Sequence, residues 1–333
     1  MDSGDADAPD SASPPAGAIE GRDAPAQTDQ AHDLRVPAPD ARDEQIAEHV
    51  RYRQSVEASY KAAEARSSWT EAAPVLRAEW ETHKQRYPDR ERQAAATLPD
   101  GSWQGNGDRR LSPEQNAEAA KYTADLRDEA IQRIGPAMER VEAADPDRRL
   151  AGLEHMVKGE DRLKEKIASE LSGRPGITVR DALGEIADGV RFTLEYPSER
   201  YAEGVLADID RIKAEGFVLL KLKNLWPADQ YKGINSQWRA PETGTRCEMQ
   251  FHTAESSQAK ELTHQAYERI RAAVALPAQQ RDAVEERALK DFQQRASAVL
   301  RTPPGTNAIS DFPPAKEMKE QSGGQKGDLL RNY

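Results

Sequence analysis

Cys247-Glu-Met-Gln-Phe-His-Thr253 alternates without a break, with Cys247, Met249 and Phe251 apolar and Glu248, Gln250 and His252 polar. A strand turns successive side chains to opposite faces, so the run predicts a β-strand with one face for a core and the other for chemistry. Upstream, Ile234 to Ala240 supplies a partner strand containing Trp238, and Glu242 to Gly244, with its Pro and Gly signals, marks a tight connection. The two runs therefore read as a hairpin. It sets Tyr231 and Asn235, from Tyr231-Lys-Gly-Ile-Asn235, at one end of a surface that also displays Glu248 and Gln250. Beyond Thr253, the residues Ser256, Lys260, His264, Tyr267 and Arg271 keep helical spacing and predict one polar and aromatic stripe facing the same cleft.

Two upstream stretches add charge to that cleft. Lys158, Arg162 and Lys166 fall at i, i+4 and i+8 within Val157 to Ile167, with Lys164 beside them, and predict one basic ridge on a helix. A solvated helix face carries such a ridge too, but ahead of a hairpin bearing a carboxylate, in an acidic chain, it suits phosphate oxygens better. Ala187 to Tyr196 reads as a central strand, Val190, Phe192 and Leu194 alternating against Arg191 and Thr193. Asp188 stands at its mouth, where a hard carboxylate can hold Mg²⁺. A helix over residues 199–215, ended by Gly216, and an apolar strand from Phe217 to Leu222 complete the unit. The expected fold is α+β, a mixed β-sheet of about five strands flanked by helices.

Tyr231-Lys-Gly-Ile-Asn235, then Glu248-x-Gln250-x-x-Thr253 and a helix, resemble the synthetase domain of the RelA/SpoT alarmone synthetases, whose fold is nucleotidyltransferase-like. The resemblance extends upstream to Lys158 and Lys166 and covers residues 150 to 272. It implies a pyrophosphokinase, moving pyrophosphate from ATP to the 3′-hydroxyl of an acceptor nucleotide. Asp188 and Glu248 would bind Mg²⁺, and Glu248 would also accept the proton of the attacking hydroxyl. Lys158, Lys166 and Arg191 would hold the ATP phosphates, helped by Arg162 and Lys164. Tyr231 would stack on the acceptor base, with Lys232, Asn235, Gln250, His252 and His264 on the substrate side. Several positions depart from the family pattern: Met156 stands where Arg is usual, Arg162 where Ser is usual and Asn235 where many members have His, and the step from Asp188 to Arg191 is shorter. The acceptor is therefore open between GDP or GTP, an adenine nucleotide and RNA, and the variant motif resembles members found as toxin modules. Two rival readings share the fold: an inactive nucleotide-binding or interaction protein, and a nucleotidyltransferase acting on RNA. The retention of both acids speaks against the first.

A chain of 333 residues with a net charge of −11 argues against general affinity for nucleic acid or anionic membrane, so any phosphate site must be a local basic pocket. With Cys247 the only cysteine, neither an intrachain disulfide nor a cysteine zinc cage is expected. No apolar run reaches the length of a membrane span, and the acidic N-terminus lacks the pattern of a signal peptide. These features point to the cytoplasm, with export or delivery as a toxin left open. Composition divides the chain into a disordered tail (1–43), a helical N-terminal region (44–144), the synthetase-like domain (145–276), a charged helix (277–301) and a second disordered tail (302–333). Within the helical region, helices are expected over 43–66, from Ser68 or Thr70 to just before Tyr87-Pro88, and from a Ser112 cap to about Arg133, where Gly135-Pro136 breaks or kinks it. Residues 98–110 read as a loop. These helices are candidates for contact with a second copy or another protein.

Overall fold

The computed structural model describes residues 68–88, 94–274 and 280–313, so the tail 1–43 and the helix expected over 43–66 lie outside the described residues. Ser68 opens α1 (Trp69–Arg86), which ends ahead of Tyr87-Pro88 because a residue preceding proline is steered out of the helical region. Residues 98–110 are not a plain loop. They carry β2 (Trp103–Gln104) and the start of β3 (Arg110–Leu111), which with β1 (Ala96–Thr97) make a small antiparallel sheet that forms because Trp103 and Leu111 find a core to enter. Ser112 then caps α2 (Pro113–Glu129): its Oγ accepts from the Gln115 N–H, and its own N–H donates to the Gln115 side chain. Gly135-Pro136 does not break this helix. The chain runs through one π-turn, Ala130–Ile134, into α3 (Gly135–Ala143), with the Gly135 N–H bonded to Ala130 O and Pro136 in the first turn, where its missing N–H costs little.

The remaining elements are β4 (Arg149–Ala151), α4 (Glu160–Gly173), α5 (Val179–Glu185), β5 (Arg191–Tyr196), α6 (Tyr201–Ala214), β6 (Val218–Asn224), β7 (Ile234–Arg239), β8 (Arg246–Thr253), α7 (Ala254–Val274) and α8 (Ala283–Ala298). The five-stranded mixed sheet has the order β4-β5-β8-β7-β6, with β5 and β8 parallel and the other pairs antiparallel. The predicted hairpin is β7–β8, in the register Trp238↔Cys247 and Asn235↔Gln250. That register puts Phe192, Leu194, Ile234, Trp238, Cys247, Met249 and Phe251 into one apolar core. Full burial of a Phe or Met side chain stabilises by roughly 1.5–3 kcal/mol, so a slip by one residue would forfeit many such contributions at once.

The same core takes in Ala119, Leu126, Ala130, Ile134 and Met138, so it crosses residue 145 and builds α2 and α3 into the sheet domain. A second core joins α1, α7 and α8 through Leu76, Trp80, Ala259, Ala266, Leu289 and Phe292, with a buried Arg295–Glu79 ion pair. Residues 302–333 were expected to be a disordered tail, and the part of them within the described residues corrects that. Thr306 and Ile309 are buried, Phe312 bridges to Leu222 on the edge strand β6, and Asn224 donates to Thr306 O and Ile309 O. The segment docks because β6 would otherwise present an unpaired edge. Among the described residues no helix is long and apolar enough to cross a membrane.

Candidate active site

Strand register lays the polar face of the sheet out in rows. Lys221, Gln237, Glu248 and Arg191 stand side by side across β6, β7, β8 and β5, and Lys223, Asn235, Gln250 and Thr193 form the next row. Alternation predicted an open surface here, yet Glu248 is 3% exposed and Gln250 and His252 are 0% exposed. The cover comes from α7, which starts directly at the end of β8 and packs along β8 and β5. Burial of this kind is tolerated only where the polar groups find partners.

Glu248 accepts from Gln250 Nε2 at 2.6 Å, and Gln250 Oε1 in turn accepts from Lys260 Nζ at 2.7 Å. Gln250 is thus a relay that fixes the acid and the lysine relative to each other. Burial, with the neighbouring Arg191 guanidinium, pulls the Lys260 ammonium down to about 7, although Glu248 acts the other way. Arg191 is itself buried, and its Nη1 has no hydrogen-bond partner. A buried guanidinium N–H left open is costly, and an anion at that point would satisfy it.

Asp188 sits in a 3₁₀ turn just before β5, 8% exposed, with its carboxylate held by Lys166 and with Lys158 Nζ at 3.7 Å. The basic ridge predicted for one helix is corrected in part. Helix α4 starts only at Glu160 after a Gly159 cap, so Lys158 lies on the extended segment whose N–H bonds to Gly189 O. Lys158 and Lys166 therefore reach Asp188 from two different elements. Arg162 pairs with Glu268 at 3.0 Å and Glu165 at 3.3 Å. Lys164, expected to help with phosphates, pairs with Glu160 at 2.6 Å instead. Asp161, the other acid of that first turn, accepts from Trp103 Nε1. Both acids have partners and line a cavity of about 590 Å³, whose lining also includes Glu154, Lys158, Arg162, Asp188 and Arg191.

The opposite end of the cluster is closed by hydrogen bonds. The Tyr231 hydroxyl lies 2.7 Å from both Asn235 Oδ1 and His252 Nε2, while His252 Nδ1 meets Ser256 Oγ at 2.8 Å. Burial, then Lys260, holds the His252 imidazolium well below its ordinary range, so the ring is neutral; burial pushes the Tyr231 phenol well up. Gly233 is required here: its φ is +154°, and a Cβ would stand 2.6 Å from His252 Cε1. Lys232, expected on the substrate side, donates to Trp226 O at 2.8 Å and Ala228 O at 2.6 Å and clamps the 225–233 loop. His264 lies half-buried two turns further along α7 than Ser256.

Among the described residues no cluster of three or more His, Cys, Asp or Glu side chains could hold a metal ion. Lys260 belongs with Glu248 and Arg191; the helical stripe of the sequence marked it, but no pattern marked its contact with Gln250. Arg127 and Ile131, which also line the cavity, come from outside the stretch that resembles a synthetase, and nothing in the sequence pointed to them.

No family model matches the chain, and a search of curated proteins found no match. Solved structures do resemble it. A GTP pyrophosphokinase family protein from Streptococcus pneumoniae is 14% identical with a TM-score of 0.37, covering 62% of this chain and 93% of that one. Small alarmone synthetase 1 from Bacillus subtilis is 13% identical with a TM-score of 0.38, covering 62% and 97%. The same synthetase bound to its product pppGpp is 13% identical with a TM-score of 0.36, covering 62% and 93%. Values this low leave the chemistry of the site to its own residues.

Proposed function

We propose that the chain transfers pyrophosphate from ATP to the 3′-hydroxyl of an acceptor nucleotide. The observation that carries this reading is the buried Arg191 guanidinium: unpartnered at Nη1 and in register with Glu248, it lines a cavity together with Asp188 and Lys158, while Lys166 pairs with Asp188. Phosphoryl chemistry of this class needs positioned cations and one base, and little covalent help from the protein. Arg191, Lys158 and Lys166 hold the phosphates. The acceptor 3′-oxygen attacks the β-phosphorus, the bond from that phosphorus to the bridging oxygen of the α-phosphate breaks, AMP leaves, and the proton of the hydroxyl passes to Glu248.

The two acids fit Mg²⁺, which takes one or two carboxylates and fills its other positions with phosphate oxygens and water. Asp188 and Glu248 would hold it, and when bound it would neutralise the charge on the transferring group. At the other end, half-buried Tyr231 receives the acceptor base, with Asn235 and His252 fixing the angle of its ring. The acceptor itself is a guanine nucleotide, an adenine nucleotide or an RNA end, and the variant motif makes a toxin role the one to test first. Incubation with γ-labelled ATP, Mg²⁺ and GDP, GTP, ADP, ATP or RNA in turn tests the reading. Label retained in one acceptor, with an equal amount of AMP, is the expected result; folded protein that labels none of them contradicts it.

A further inference from the structure

Gln250 is buried on β8 with its amide between an acid and a cation: Nε2 donates to Glu248 Oε1 at 2.6 Å, and Oε1 accepts from Lys260 Nζ at 2.7 Å. The two ends of a glutamine amide have nearly the same shape, so the neighbours decide which way it points. Thr193 Oγ1, 3.5 Å from Oε1, leaves that choice open, because a hydroxyl both donates and accepts. An ammonium only donates. With Lys260 in place, a reversed amide would set N–H against N–H on one side and oxygen against carboxylate on the other. The lysine arrives there from the corner where β8 becomes α7. Ser256 Oγ accepts from the Thr253 N–H at 3.0 Å and meets His252 Nδ1 at 2.8 Å, and Lys260 stands one turn further along the same helix face. One face of α7 thus clamps both His252 and Gln250.

We propose that Lys260 is a positioning residue for the proton acceptor: its donation to Gln250 Oε1 holds the amide with Nε2 against Glu248 and so aims the carboxylate. The role rests on the pyrophosphate-transfer reading above and deepens it, by naming what sets the base. A carboxylate turns about its own side-chain torsions, and a reacting group misplaced by about 1 Å can cost on the order of 100-fold in rate. Burial of the ammonium, then Arg191, pulls Lys260 down to about 7, so a cation at this place costs stability. A position that only had to be filled would be better served by an apolar side chain. Lys260 also lies outside Glu248-x-Gln250-x-x-Thr253, so the residue that orients the motif is not part of it.

The test is a double-mutant cycle of Lys260→Met and Gln250→Leu in the full chain, read as kcat, both KM values and melting temperature in the γ-labelled ATP assay. Lys260→Met should lower kcat by about 10- to 100-fold, the scale of losing a group that orients a reacting one, and leave the KM for ATP and for the acceptor unchanged. Its melt should stay near the wild type's, since removing a buried cation and losing its hydrogen bond oppose each other. Gln250→Leu should lose at least as much rate, and the double variant should be no slower than Gln250→Leu alone, because a lysine acting through Gln250 has nothing to hold without it. Lys260→Gln, whose own amide faces either way, should show the same loss and replaces Lys260→Met if that variant melts early. Near-normal kcat in the lysine variants, losses that multiply in the double variant, or a loss confined to KM overturns the role while leaving pyrophosphate transfer intact. Wild-type protein that labels no acceptor overturns the pyrophosphate reading and this role with it.

Discussion

The two ends of the buried polar face are built on opposite principles. Around Tyr231 the polar groups are satisfied from within: hydroxyl, amide, imidazole and Ser256 close on one another, and Gly233 leaves room for them. Around Arg191 the structure leaves a buried donor open, beside a cavity and two lysines gathered on one carboxylate. A closed network stabilises the fold and sets geometry in advance, whereas an open one costs stability and gains from an anion. Substitutions at the two ends should therefore fail differently, in melting temperature at one and in rate at the other.

The largest effect is expected between the two ends, at Glu248. Glu248→Gln keeps the shape and the contact with Gln250 but cannot take a proton, so turnover should fall by about 10²- to 10⁴-fold with the melt little changed. Near-normal turnover in this variant would remove Glu248 from the chemistry.

Arg191→Met should lower turnover by about 10²- to 10³-fold, the scale of losing one preorganised donor to a charged transition state. Its melting temperature should stay level or rise, since a buried charge with an open N–H is replaced by an apolar chain of similar length. A steep loss of stability would mean that Arg191 holds the fold together, and the contrast between the two ends would collapse.

At the closed end, Tyr231→Ala should raise the acceptor KM by about 5- to 150-fold, from the roughly 1–3 kcal/mol of base stacking, and leave the KM for ATP alone. Tyr231→Phe keeps the ring but strips the hydroxyl from Asn235 and His252, so it should cost about 1–3 kcal/mol of stability in urea unfolding. Saturation curves for both substrates, with melts beside them, separate binding from folding. Equal effects on both substrates would end the stacking role.

The smallest effect concerns pH. The His252 imidazolium is held below the usual 6.5 by burial, so as pH falls below 6.5 the unfolded chain takes up a proton that the folded chain refuses. Stability should decline through that window and be flat, as far as this group is concerned, above it. His252→Gln should flatten the dependence of the urea midpoint between about pH 7 and about pH 5. An unchanged slope would show that other groups carry it.

Legibility in the sequence followed local chemistry. The β7–β8 hairpin was readable because alternation is strict from Cys247 to Phe251 and Pro241 to Gly244 punctuates it. Asp188 and Arg191 were readable because a strand of Val, Phe and Leu leaves few polar exceptions. What stayed hidden depends on contacts distant in sequence. The stripe on α7 pointed to the cleft, but nothing near Glu248 announces how completely α7 buries it, and nothing near Lys232 shows that its ammonium closes a loop. The π-turn at Ala130–Ile134 has no local signature, since Gly135-Pro136 ordinarily reads as a break. Residues 302–313 look like a tail by composition and become ordered because the edge of β6 offers them a partner.

In the proposed reaction the open end holds the phosphates while the closed end presents the acceptor hydroxyl to the β-phosphorus. ATP labelled at both the α- and γ-positions with distinguishable isotopes, incubated with Mg²⁺ and the acceptor found by screening, tests it in one reaction. Pyrophosphate transfer puts the γ-label in the acceptor and the α-label in AMP, in equal amounts, with both lost in Glu248→Gln. The α-label in the acceptor and the γ-label in free pyrophosphate would show nucleotidyl transfer instead and rule pyrophosphate transfer out.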